Sequence, residues 1–317
     1  MKNIFTIVIP LFNKENFVAA TIKSVLNQSF QEFEVLIVDD CSTDNSIEVA
    51  QNFISDKIKI IKHNQNKGLS ASRNTGILNA KTEFIVFLDA DDLLKPKYLK
   101  KLNDLIFEIP SAGLFATNYE QVYQNHIAVA PKIGVQNSEN DQLISDFFIA
   151  GLQQPIYCQS SLCVRKSIFE TIELYNEKID YAEDVDFNIR ANFHFQVAYS
   201  SEKLVQYVMI DSNQITKNSI IGKTLPDFDS FESWTNTNSS LKKYLDLNRY
   251  MLANVCKKQG DFATFQKLKN GIHPHKEISG LNQKQIILLN SPVFLLKVIS
   301  KIKIFLLNRG FRFTSFS

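Results

Sequence analysis

Apolar and polar positions alternate in blocks along the first hundred residues. Phe5 to Ile9 is a short apolar run, after which Val18, Ile22, Val25 and Leu26 recur at helical spacing. Phe33 to Val38 is apolar again, and Ile47, Ala50 and Ile54 follow at helical spacing. Ile58 to Ile61 offers a third strand, Leu69 to Ala80 a third helix and Phe84 to Leu88 a fourth strand. Strands alternating with helices predict an α/β unit, a Rossmann-like and mostly parallel sheet flanked by helices and wound by right-handed crossovers. In such a sheet ligands bind beyond the carboxyl ends of the strands.

The unusual polar residues lie at those ends. The first strand runs into Pro10-Leu-Phe-Asn13, the second into Asp39-Asp-Cys-Ser-Thr-Asp44 and the fourth into Asp89-Ala-Asp-Asp92, so three loops converge on one rim. Acids spaced at i and i+2 share one side of an extended stretch, repel one another and call for a positive partner. Hard oxygen ligands of this kind suit Mn²⁺ or Mg²⁺, ions that keep positions open for water and phosphate oxygens. A solvated acidic turn is the plainer reading of an isolated Asp-x-Asp. No glycine-rich phosphate loop follows the first strand, so the diphosphate of a nucleotide would need another counter-charge.

Arg73 falls in the stripe formed by Leu69, Gly76, Ile77 and Ala80 rather than opposite it. An inward Arg needs a carboxylate or phosphate partner; the alternative is a stem packed on the core with its head in water. Glu183-Asp184 reads on its own as an acid pair stabilised at a helix N-terminus. Asp44 and Ser42 are expected as helix caps.

Length and composition narrow the class. The 317 residues allow one large or two smaller domains, and 44% hydrophobic content supports a substantial core. The formal charge of +2 conceals an asymmetry: residues 278–317 hold six Lys or Arg and no acid, leaving 29 bases against 33 acids in residues 1–277, a net of −4. Cys41, Cys158, Cys163 and Cys256 show neither zinc nor disulfide spacing, and a reducing cytoplasm is the expected setting. Ile4 to Phe12 behind Lys2 could mimic a signal peptide, but Asn13-Lys-Glu-Asn16 interrupts it, which favours a buried strand. Among the histidines only His273 and His275 are closely spaced, and a surface turn explains them. A nucleic-acid partner is not expected.

The residues together resemble the nucleotide-binding half of the family 2 inverting glycosyltransferases with the GT-A fold. The matching pieces are Val8-Ile-Pro-Leu-Phe-Asn13, Val38-Asp-Asp-Cys-Ser-Thr-Asp44, Asn66-Lys-Gly-Leu-Ser-Ala-Ser-Arg-Asn-Thr-Gly76 and Phe87-Leu-Asp-Ala-Asp-Asp92, in the family's order. The likeness continues through Ser161-Leu-Cys-Val-Arg-Lys-Ser-Ile-Phe169 and Tyr181-Ala-Glu-Asp-Val-Asp-Phe-Asn-Ile-Arg190 and fades after about Thr216.

The resemblance implies a donor site of Pro10, Phe12, Asn13, Asp40, Arg73, Asp89 and Ala90. In it Phe12 stacks on the base, Asp40 accepts from the base's imide N–H, Arg73 holds the base or diphosphate side and Asp89 meets the ribose. It implies further that Asp91 binds Mn²⁺ or Mg²⁺ and that Asp184 is the general base, with Glu183, Asp92 and Lys217 in acceptor or secondary roles. The expected reaction moves a sugar with inversion from a nucleoside diphosphate, UDP preferred, to a carbohydrate or lipid-linked acceptor hydroxyl in surface polysaccharide or glycolipid assembly. Departures from the family pattern are Phe12 where Tyr is common, and Met209-Ile-Asp211 where Arg or His often precedes an Asn-x-Ile-Ser/Thr end. An Asp-x-Asp phosphatase with Asp89 as nucleophile is the alternative enzyme, although its motif belongs on a first strand. An inactive nucleotide-sugar-binding module is the third reading.

The expected organisation is a glycosyltransferase domain over 1–216, divided into a nucleotide-sugar half 1–110 and an acceptor half 111–216. A flexible Ser/Asn/Thr-rich loop over 217–240 and a helical region over 241–317 follow. Ser291-Pro292 starts a strongly apolar helix from Phe294 to Leu307 whose lysines Lys297 and Lys301 break any membrane span. Either it lies on an anionic membrane surface, with Phe311 and Phe313 as anchors, or it packs on the protein's own core. In the first case the protein is peripheral on the inner membrane face.

Overall fold

The computed structural model describes residues 3–123, 128–135, 141–209 and 219–307. They fall into two compact units, one of residues 3–123, 128–131, 141–145 and 157–209 and the other of 132–135, 146–156 and 219–307.

The first unit opens with β1 (Phe5–Leu11), α1 (Val18–Leu26), β2 (Phe33–Asp39), α2 (Ser46–Gln51), β3 (Ile58–Lys62), α3 (Leu69–Asn79) and β4 (Phe84–Phe87), the predicted alternation. β5 (Leu93–Leu94), α4 (Tyr98–Glu108), β6 (Leu114–Val122), β7 (Ala128–Val129) and β8 (Gln142–Leu143) follow. In the chain α5 (Phe147–Ala150), a piece of the second unit, precedes β9 (Leu162–Arg165), α6 (Phe169–Ile172), α7 (Glu183–His194) and β10 (Val197–Val208).

Among the described residues the strands form one sheet ordered β3-β2-β1-β4-β9-β6-β10-β5, with β7 paired to β6 and β8 to β10. β1 pairs in parallel with β2 and β4, and β2 with β3. Every residue of β1 and β2 is buried, the pattern of parallel strands covered on both faces. Ile7, Ile9, Val35, Ile37 and Val86 join Ile22 and Val25 of α1 in the core, each side chain contributing roughly 1.5–3 kcal/mol on burial. α3 lies so close to β1 that a Cβ on Gly76 would sit 2.2 Å from Val8 Cγ1, which is why the helix carries glycine there. β9 enters antiparallel between β4 and β6 and makes the sheet mixed.

In the second unit, α8 (Ser239–Gln259) starts at Asn238, whose side chain accepts from the Ser240 and Leu241 amides, and stops at Gly260 in a left-handed conformation. α9 (Phe262–Asn270), α10 (Lys276–Ser279), α11 (Gln283–Asn290) and α12 (Val293–Leu307) complete it. Within the stretch expected as a flexible loop, Phe228–Asn236 is a 3-10 helix whose Asp229 and Glu232 are gripped by Arg249 of α8. Composition could not show ion pairs made at that sequence distance. On α12, Leu296 is buried while Phe294, Val298, Ile302 and Phe305 are exposed. No helix among the described residues is long and apolar enough to cross a membrane. Lys217, Ile210, Asp211, Phe311 and Phe313 lie outside the described residues.

Candidate active site

The loop after β1 is locked to the loop after β2. Asn13 takes a left-handed φ of 53°, and its Oδ1 accepts from the Thr43 amide at 2.8 Å and the Thr43 hydroxyl at 3.2 Å. Ser42 Oγ accepts from the Asn13 amide at 3.2 Å, so Ser42 joins the loops instead of capping α2. The N-cap residue of α2 is Asn45, not Asp44, which stands one residue before it and accepts through Oδ1 from the Ser46 amide at 2.9 Å. Pro10 is buried beside Val38, whereas Phe12 is 43% exposed at the rim.

Asp40 is buried and held from three directions. Its Oδ1 accepts from the Lys67 amide at 2.8 Å and lies 2.7 Å from His63 Nδ1, and its Oδ2 accepts from the Gly68 amide at 2.8 Å. Gly68 makes this possible by adopting a φ of +92° at the start of α3. His63 Nε2 reaches Thr75 Oγ1 at 2.9 Å. A carboxylate offers about four lone-pair sites, so Asp40 retains one, on Oδ2.

Two of the three acids in the loop after β4 already meet cations of the protein. Asp89 Oδ1 accepts from Arg73 Nη2 at 3.0 Å, and Asp91 Oδ2 accepts from Lys14 Nζ at 2.8 Å. Ala90 is buried, its carbonyl accepting from Thr21 Oγ1 at 2.9 Å. Asp92 has no exposed surface: it accepts from the Ser160 hydroxyl and from the Val208 amide, the latter at 2.8 Å. Ser160 Oγ in turn accepts from the Asp89 amide at 3.1 Å. Burial, then the charges of Asp91 and Asp89, hold the Asp92 carboxyl well above the ordinary range. Asp92 therefore shapes the loop from inside, and of the acceptor or secondary roles expected of it this favours the secondary one.

Arg73 is 1% exposed and bridges two acids, with Nη2 on Asp89 and Nη1 on Glu183 Oε1 at 3.1 Å. Its guanidinium lies 5.3 Å from the centre of the Tyr175 ring, which stacks on Phe187 at 4.5 Å. Burial works against its charge, but Asp89, Tyr175 and Glu183 raise its pKa further above the usual value. These carboxylates account for the place of Arg73 in the inward stripe, while its Nε is buried with no hydrogen-bond partner among the described residues.

Asp184 follows on the first turn of α7, after Ala182 in a left-handed φ of 61°. It is half-buried and accepts from the Val185 amide at 2.9 Å. Burial first, then the neighbouring Glu183 charge, push its carboxyl up to about 6, with Arg73 pulling the other way. A half-buried carboxylate poised near neutrality is suited to accept a proton.

Among the described residues no three His, Cys, Asp or Glu side chains could together hold a metal ion. Asp91 is a single hard-oxygen donor, which fits an ion such as Mg²⁺ that takes one or two carboxylates and fills its sphere with water and phosphate oxygens. Lys14, His63, Ser160 and Tyr175 were not singled out from sequence. Only His63 carried a signal, standing one residue past β3 at the same rim.

The glycosyl transferase family 2 model matches residues 6–172, a span that holds the three rim loops, Arg73 and Ser160. The chain belongs to glycosyl transferase family 2. EpsH of Bacillus subtilis (strain 168), named as a glycosyltransferase, is 25% identical over 286 residues, covering 84% of this chain and 81% of EpsH. TuaG of the same strain, named for teichuronic acid biosynthesis, is 32% identical over 126 residues, 39% of this chain and 50% of TuaG. A crystal structure of S. aureus TarS 1-349 in complex with UDP-GlcNAc is 16% identical, with a TM-score of 0.58 over 89% of this chain and 93% of that one. That likeness shows the GT-A fold. This family 2 glycosyltransferase transfers sugar from a nucleotide-sugar donor, and the phosphatase reading of the Asp-x-Asp loop falls away with its place at the end of β4.

Proposed function

We propose that the chain moves a sugar with inversion from a UDP-sugar to a hydroxyl of a carbohydrate or lipid-linked acceptor in surface polysaccharide assembly. The observation that carries this reading is the arrangement at one rim of an exposed aromatic, Phe12, a buried carboxylate with one lone pair left, Asp40, and a half-buried acid titrating at about 6, Asp184. Uracil presents one imide N–H, which matches the remaining site on Asp40, while Phe12 offers a stacking face. Asp89, partly exposed at 27% and oriented by Arg73, faces the ribose. TuaG and the UDP-GlcNAc complex of TarS support the acceptor and donor classes.

Asp184 takes the proton of the acceptor hydroxyl as its oxygen bonds to the anomeric carbon. The bond from that carbon to the diphosphate breaks with its electron pair leaving on UDP, so the configuration inverts in one displacement. Mn²⁺ or Mg²⁺, held by Asp91, would supply Lewis-acid stabilisation of the diphosphate's charge. Glu183 keeps Arg73 in place beside the base. Docking on the inner membrane face is supported by α12, where Phe294, Val298, Ile302 and Phe305 are exposed beside the exposed Lys297 and Lys301.

The test is a thermal-shift screen of UDP and UDP-sugars with and without Mn²⁺, followed by turnover with lipid-linked and free oligosaccharide acceptors. Selective stabilisation by uridine nucleotides and acceptor-dependent UDP release are expected. Preference for another base, or tight binding with no transfer to any acceptor class, overturns the reading.

A further inference from the structure

Lys14 sits in the loop between β1 and α1, and its backbone is fixed on both sides. Its amide donates to Ser46 Oγ at 2.6 Å and its carbonyl accepts from the Phe17 and Val18 amides at 2.9 and 3.0 Å. From that anchor four methylenes carry the ammonium to Asp91 Oδ2 at 2.8 Å, with both side chains only 14% and 11% exposed. An ammonium thus stands on the very carboxylate assigned to the divalent ion.

We propose that Lys14 is a built-in competitor for that ion, making metal binding conditional on the nucleotide diphosphate. The inference rests on the reading of Asp91 as the ion's ligand. An ion arriving alone must take Asp91 from a partly desolvated ammonium or sit beside it, and like charges at that range repel. The rest of the loop offers little help. Asp89 is engaged by Arg73, and Asp92 is wholly buried on Ser160 and Val208. A single contested carboxylate is a poor site for Mg²⁺ or Mn²⁺, which dehydrate reluctantly and need several oxygens.

A diphosphate changes both sides of the competition. Its oxygens add ligands for the ion, and they also give the displaced ammonium a new partner within reach of a flexible stem. Ion and nucleotide then each strengthen the other's binding, and the coupling is reciprocal. Removing the ammonium should separate them: the ion would bind the nucleotide-free protein more tightly, and the nucleotide would add less.

Free Mn²⁺ measured by electron paramagnetic resonance tests this in the full chain, with and without UDP, for the unaltered protein, Lys14→Met, Lys14→Arg and Asp91→Asn. In the unaltered protein UDP is expected to tighten Mn²⁺ binding about tenfold or more, within the usual range of coupling between sites. Lys14→Met should tighten nucleotide-free Mn²⁺ binding several-fold and shrink the UDP effect. Lys14→Arg, which keeps the charge and tends to preserve the fold, should leave nucleotide-free binding as weak as before or weaker. Unchanged or weaker nucleotide-free binding in Lys14→Met, with Asp91→Asn abolishing binding, overturns the competition while leaving Asp91 as the ligand. Full UDP-dependent Mn²⁺ binding in Asp91→Asn removes the underlying assignment and the inference with it.

Discussion

Arg73 in the sheet unit and Arg249 in the helical unit are the two largest side chains that the described structure hides almost entirely from water. Both meet carboxylates, but their balance differs. Arg249 contacts Asp229 at 2.7 Å, Glu232 at 2.5 Å and Asp246 at 3.0 Å, and Lys242 adds a second cation on Glu232 and Asp246. Two of those acids are well exposed, at 63% and 36%, so water shares their charge. Arg73 stands alone against Asp89 and Glu183, with Asp184 next to them and lacking an ion-pair partner among the described residues. The first cluster sets two cations against three acids, and water shares the charge of two of those acids. The second sets one cation against two acids with Asp184 beside them, and burial first, then the Glu183 charge, raise the pKa of Asp184.

Asp184→Asn sharpens this contrast most. It should lower kcat by about 10³- to 10⁴-fold, the loss of a general base, while UDP binding by calorimetry stays unchanged. The same variant should be more thermostable at pH 8. A carboxyl whose folded pKa lies above its unfolded value contributes stability below about 4 and loses it as pH rises through about 6, and Asn removes that loss. Equal melting temperatures for the two proteins at pH 8 would break the account of a base whose pKa is raised by burial and by Glu183.

Arg73→Met comes next. It leaves Glu183 buried and unpaired and should cost about 3 kcal/mol by urea unfolding, the low end for a broken buried pair because Asp89 is partly exposed. It should also move the pH midpoint of kcat/KM upward, since Arg73 holds the Asp184 carboxyl down. Arg249→Met should cost about 2 kcal/mol, because Lys242 still covers Asp246 and the other acids reach water. Its pH midpoint should not move; a shift there would end the distinction between the two clusters.

In the unaltered protein kcat/KM should rise about tenfold per pH unit below about 6 and level off above, because only the ionised Asp184 accepts the proton. A flat profile from pH 5 to 7 contradicts its role. The smallest expected effect is on α12: Lys297→Glu with Lys301→Glu should weaken binding to phosphatidylserine vesicles in sedimentation by about 1 kcal/mol per charge, an effect that 0.5 M salt erases for the unaltered protein too. Vesicle binding that is absent in both proteins removes the membrane reading and leaves the sheet unit's chemistry untouched.

Periodicity carried the first seven elements because each lies within one short stretch, although α3 buries Ser70, Arg73 and Asn74 along with its apolar residues. Even there Ile54, placed on the second helix by spacing, lies beyond its end at Gln51 and is 57% exposed, as the chain turns through Ser55 to meet β3. The insertion of β9 between β4 and β6 was not legible, since β9 meets both strands from a distant segment of the chain.

What the sequence by itself determined was the alternation of strands and helices, the delivery of Asp40, Asp89, Asp91 and Asp92 to one rim, and the family to which those motifs belong. These follow from local rules of period, burial and spacing. Which acid meets which partner was decided only by the tertiary structure. Lys14 and Asp91 are 77 residues apart, and Arg73 and Glu183 are 110 apart. Burial, charge balance and pKa depend on neighbours brought together through space, and the partners of Asp92 and Arg73 were visible only there.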